Sequence, residues 1–114
     1  MILTFNLVLA LLSCPAVRAE IQDIRQDSAR IGIEEAFEVV APCEISNRSA
    51  GTTEEIRVAT GKNTLLLVHT HPSGGRPSLR DCVTATLFGV PVITVTPTGI
   101  WITYPNGKER FLAN

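Results

Sequence analysis

His69 and His71 are the only histidines in the chain, set two apart in His69-Thr70-His71-Pro72. On a β-strand such residues project to the same side, so both imidazoles can reach one metal ion. Pro72 stops the strand, and Ser73-Gly74-Gly75-Arg76-Pro77 leads into Ser78-Leu79-Arg80-Asp81. Ser78 and Asp81 are neighbours on a first helical turn, where the carboxylate offers a third ligand. Three protein ligands and an open fourth position is the arrangement of catalytic zinc rather than structural zinc. Ser-x-x-Asp is also a helix-capping pattern, and a strand-end His pair is also a common surface feature. Their conjunction within residues 69–81 is what selects a metal centre.

These residues, H-x-H followed by S-x-x-D, resemble the motif of the JAMM (JAB/MPN) zinc metalloproteases. The similarity extends over residues 44–105, including the Gly-Val-Pro-Val-Ile-Thr-Val-Thr-Pro-Thr-Gly stretch found after the motif in bacterial JAB-like domains. The resemblance implies a cytidine-deaminase-like α/β fold and amide, peptide or isopeptide hydrolysis. It further implies Zn2+ on His69, His71 and Asp81, with Ser78 donating a hydrogen bond to the oxyanion. The family also uses an upstream glutamate as general base. Glu44 is the positional candidate; Glu34, Glu35, Glu38, Glu54 and Glu55 are alternatives. A site without such a glutamate would instead be a catalytically weak or inactive JAB-like module that binds a partner.

The elements that must position this site follow from periodicity. Ala29, Ile33, Ala36, Phe37 and Val40 recur at helical spacing, so the pattern predicts a helix over Asp27–Ala41, closed by Pro42. Short strands are expected over Glu44–Asn47 and Thr52–Thr60. Thr64–Val68 is continuously apolar, as a central strand buried on both faces requires. A second helix opens at Ser78 and stops at Gly89, with Leu79, Cys82, Val83, Thr86 and Leu87 turned inward. Pro91–Thr96 and Ile100–Tyr104 read as strands, and Asn106-Gly107 turns the chain into an edge strand over Lys108–Leu112. Trp101 and Tyr104 fall on opposite strand faces. The sum is an α/β domain, a mixed sheet packed with two main helices, one on each side.

The chain has 114 residues, a net charge of −1, 45% hydrophobic and 18% charged residues. That composition excludes disorder and a nucleic-acid binder working through bulk charge. Met1–Ala19 reads as a secretory signal peptide, its apolar run too short to span a bilayer. Residues 20–114 then form a single domain, exported to a periplasmic or extracellular compartment, where the resemblance implies a peptide or protein substrate. Cys14 lies in a context that can also pass for a lipidation site. Cys43 and Cys82 either bridge or remain free thiols.

Overall fold

Two helices, α1 (Phe5–Ser13) and α2 (Pro15–Ile31), precede the first strand in the computed structural model, which describes residues 3–51 and 63–113. Six strands follow: β1 (Glu34–Val40), β2 (Glu44–Gly51), β3 (Thr64–Thr70), β4 (Val92–Val95), β5 (Gly99–Thr103) and β6 (Glu109–Ala113). Helix α3 (Leu79–Phe88) connects β3 to β4. The sheet order is β2-β1-β3-β4-β5-β6, with β3 and β4 parallel and every other neighbouring pair antiparallel. The expected mixed α/β architecture is present. The strand expected over Thr52–Thr60 lies outside the described residues.

Of the helix expected over Asp27–Ala41 only Asp27–Ile31 is formed, as the last turn of α2. Gly32, at φ 68°, ends α2 in the left-handed conformation with its N–H on the Ser28 carbonyl, and the chain is extended beyond it. Within β1, Glu35, Phe37 and Val39 face α2, while Glu34, Ala36 and Glu38 face the other way. The acids that resembled the wet side of a helix are taken into the sheet by partners. Glu35 bonds Arg48 at 3.2 Å, and Glu38 accepts from Asn47 and, at 2.8 Å, from Thr64. A strand buried on both faces thus carries charges that periodicity alone assigns to solvent. Pro42 sits in the turn between β1 and β2 rather than at a helix end.

The main core lies between the sheet and the first two helices. Phe37, Val39, Leu66, Val68, Ile93, Val95 and Ile102 meet Val8, Leu12, Val17, Ile21 and Ile24. The segment read as a leader therefore contributes α1 and the start of α2, and its Val8 and Val17 are fully buried. Cys14 forms a disulfide with Cys43, joining the α1–α2 junction to the β1–β2 turn. Cys82 is a free thiol on α3. The alternative Cys43–Cys82 bridge is absent because Cys43 packs with the α2-side core and α3 covers the opposite face.

On that opposite face a smaller cluster joins Leu67, Val92 and Ala85. The side of α3 turned inward differs from the expected one. Asp81 and Ala85 are buried, whereas Leu79, Val83 and Leu87 are 81%, 54% and 73% exposed. The cap at Ser78 fixes the rotation of the helix, and that rotation directs Asp81 toward β3. Phe111 lies over Gly99, where no side chain would fit, and packs on Trp101.

Candidate metal centre

His69 is in β3 and His71 one residue beyond its end, where the His71 N–H still bonds the Val95 carbonyl at 2.9 Å. That bond continues the parallel ladder with β4 and keeps both imidazoles on the α3 side of the sheet. The rings meet edge to face, 4.8 Å between centroids. Asp81 arrives from the first turn of α3. Its Oδ1 lies 3.0 Å from His69 Nε2 and its Oδ2 3.9 Å from His71 Nε2. Candidate ligand atoms of His69, His71 and Asp81 all lie within 4.8 Å of one another. This buried group could hold a metal ion.

The donor set suits a divalent cation of intermediate softness, two imidazoles and one carboxylate. Thr94 Oγ1 on β4 also lies 3.0 Å from His69 Nε2, and His69 Nδ1 is buried without a hydrogen-bond partner among the described residues. A ring engaged through one nitrogen while the other stands unpaired in a dry site has capacity for a further ligand.

Ser78 and Asp81 form a full capping box. The Asp81 N–H donates to Ser78 Oγ at 3.3 Å, and the Ser78 N–H donates to Asp81 Oδ2 at 2.7 Å. The carboxylate that caps α3 is thus the same one that could serve as a metal ligand. Burial opposes ionisation of Asp81, but the His69 hydrogen bond, the Ser78 N–H and both imidazoles outweigh it and hold the carboxyl below its ordinary range. A carboxylate that is ionised in advance is ready to bind a cation.

Glu34, at the start of β1, places Oε1 4.0 Å from His71 Nε2. Burial raises its pKa above the ordinary value, with the nearby imidazoles pulling the other way. Glu34 and His71 border a cleft of about 540 Å³, together with Gly32, Ile33, Gly51 and Pro72. Glu44, the first positional candidate for the base, is exposed and pairs with Val40 at the opposite end of β1. At about 3.3 Å per residue that end is roughly 20 Å from Glu34. Glu35 faces α2, Glu38 is engaged by Asn47 and Thr64, and Glu54 and Glu55 lie outside the described residues.

Thr94 is the site neighbour that sequence reasoning missed, since nothing in Val92-Ile93-Thr94-Val95 marks one threonine for contact. The sheet register explains its place: Ala36, His69, Thr94, Trp101 and Phe111 are cross-strand partners in one row. Trp101 therefore stands two strands from His69 on the same face, with the Arg76 guanidinium 5.0 Å over its ring and paired to Glu109 at 3.1 Å. Tyr104 packs against the α2-side core, on the other face as expected. No described helix is long and apolar enough to cross a membrane. No protein-family model matches this chain, and no curated protein matches it at a significant level.

Proposed function

We propose that the protein is a zinc-dependent hydrolase of JAMM type that cleaves a peptide, isopeptide or related amide bond. The observation that carries this reading is the meeting of His69, His71 and Asp81 with Glu34 beside them at an open cleft. It is supported by the separation of the two carboxyls. Asp81 is held ionised and Glu34 is pushed toward its protonated form, and such a pair divides into a ligand and a proton carrier. A zinc ion on His69, His71 and Asp81 would supply Lewis acidity, acidifying water and polarising a carbonyl oxygen.

The remaining chemistry belongs to the chain. Glu34 takes a proton from the attacking water and returns it to the leaving amine. Ser78 uses an Oγ lone pair to accept the Asp81 N–H, which leaves its hydroxyl hydrogen to donate to a developing oxyanion. The cytidine-deaminase-like fold, export of the chain and a peptide or protein substrate belong to the same proposal.

Glu34 replaces Glu44 as the proposed base, and a pair of variants tests this. Glu34→Gln is expected to keep its zinc and to lose at least about 100-fold in turnover on a peptide library. Glu44→Gln is expected to match the parent. Equal activity of parent and Glu34→Gln refutes the assignment. Zinc bound by the parent without turnover of any peptide selects the partner-binding module instead.

A further inference from the structure

Helix α2 segregates its charges. Glu20, Asp23 and Asp27 turn toward β2, where Arg48 meets them at 2.6, 2.6 and 3.9 Å. Arg18 and Arg25, two helical turns apart, turn the other way. There they border a second groove of about 540 Å³, between the first two helices and the β5–β6 end of the sheet. Its apolar walls include Leu12, Ile21, Ile100 and Leu112, and no carboxylate is among the described residues that line it.

Arg25 is half-buried, and its Nε and Nη2 are shielded from water with no hydrogen-bond partner among the described residues. Burial lowers its pKa, the mark of a cation held without compensation. Nε–H and Nη2–H form one edge of the planar guanidinium, and that edge accommodates a carboxylate through two parallel bonds. A cation without a counter-charge at the wall of an apolar groove is costly, and an anion in that groove would relieve the cost.

We propose that this groove is a binding site for a medium-chain alkyl carboxylate, its head on Arg25 and its tail along Leu12, Ile21, Ile100 and Leu112. Arg18 adds a second positive charge at the same groove. The cavity volume falls in the range of small-molecule sites, which are mostly apolar with a few polar groups that fix orientation. The site lies across the sheet from the candidate metal centre and does not depend on the hydrolase reading.

The test is calorimetric titration of the full chain with sodium decanoate, with chelator present so that no metal competes for the carboxylate. Saturable one-to-one binding is expected, and decyltrimethylammonium should bind at least about 10-fold more weakly. Arg25→Met should weaken decanoate at least about 10-fold, and Arg25→Lys should weaken it less. Arg25→Met should also melt no lower than the parent, because it replaces a half-buried charge lacking a counter-ion with an apolar chain. Four results overturn the proposal. They are no saturable binding, equal affinity for the cationic amphiphile, unchanged affinity in Arg25→Met, and a lower melting point in Arg25→Met.

Discussion

Replacing Asp81 with Asn separates the two tasks of one carboxylate. In the metal-free protein Asp81 caps α3 through the Ser78 N–H at 2.7 Å and meets His69 at 3.0 Å. An asparagine there keeps an amide oxygen for the cap but turns two charge-assisted contacts into neutral ones. The expected cost is about 1–2 kcal/mol, or a drop of roughly 5–10 °C in the melting midpoint for a domain of this size. The response to zinc should change more. A ligand bound only by the native state stabilises it by about 4 kcal/mol at a thousandfold excess over its Kd. If losing one of three ligands weakens zinc by about 100-fold, the same zinc concentration stabilises Asp81→Asn by only about 1.4 kcal/mol.

Thermal melts followed by circular dichroism, in chelator and then across a zinc titration, read both quantities from one preparation. The difference of differences isolates ligation from capping, because the cap is weakened equally with and without metal. Zinc that leaves the parent midpoint unmoved would end the metal-centre reasoning. An equal zinc increment in parent and Asp81→Asn would remove Asp81 from the ligand set and leave it a helix cap.

Three further consequences concern the frame around the site. Burial, reinforced by the Asp27 carboxylate, pushes Glu35 above its ordinary pKa near 4.5 despite the pull of Arg48. A raised folded pKa gives stability that is complete below the unfolded value and is lost as pH rises through the folded one. The stability of the parent relative to Glu35→Gln should therefore fall as pH rises above the ordinary carboxylate range, as denaturant melts at each pH would read. A constant difference would refute it. The Cys14–Cys43 disulfide spans 29 residues, so Cys14→Ser/Cys43→Ser should lose about 3–4 kcal/mol by loop entropy; a loss below about 1 kcal/mol in urea melts would count against this. A chain beginning at Glu20 gives up the burial of Val8, Leu12 and Val17, each worth about 1.5–3 kcal/mol, together with that cross-link. It should melt well below the full chain, and equal midpoints would show that Met1–Ala19 adds nothing to the fold, as a removable leader requires.

What was legible in the sequence was what depends on local spacing. His69 and His71 fall two apart on a strand, and Ser78 and Asp81 share one helical turn; the structure brings His69, His71 and Asp81 together. The continuous apolar run at Thr64–Val68 marks a central strand for the same reason. The part that misled is β1, where Glu35 and Glu38 mimic the polar side of a helix because their partners come from distant segments. Arg48 and Asn47 are on β2, and Thr64 is on β3. No periodicity in Glu34–Val40 encodes those partners. The same error left Glu34 an alternative behind Glu44, because a helix over those residues would not have aligned it with the end of β3. The outward stripe of α3 failed for a related reason: three apolar residues at Leu79, Val83 and Leu87 outweigh one aspartate in any moment, yet the aspartate faces the histidines.

That outcome shows why Ser-x-x-Asp cannot separate a cap from a ligand by itself. A capping box needs a carboxylate at the third helical position, turned back toward the start of the helix. A ligand at the beginning of α3 needs the same carboxylate turned toward the end of β3. The two demands coincide when the helix start faces the strand end, and here the link between them is the short loop from Pro72 to Pro77. His69 and then the Ser78 N–H hold the carboxylate ionised, and the cap fixes it in place before any cation arrives, so less order must be imposed on binding. The features that point beyond a cap are therefore those a cap does not use. These are the second imidazole, the unpaired His69 Nδ1, and Glu34 at 4.0 Å from His71 on an unrelated strand.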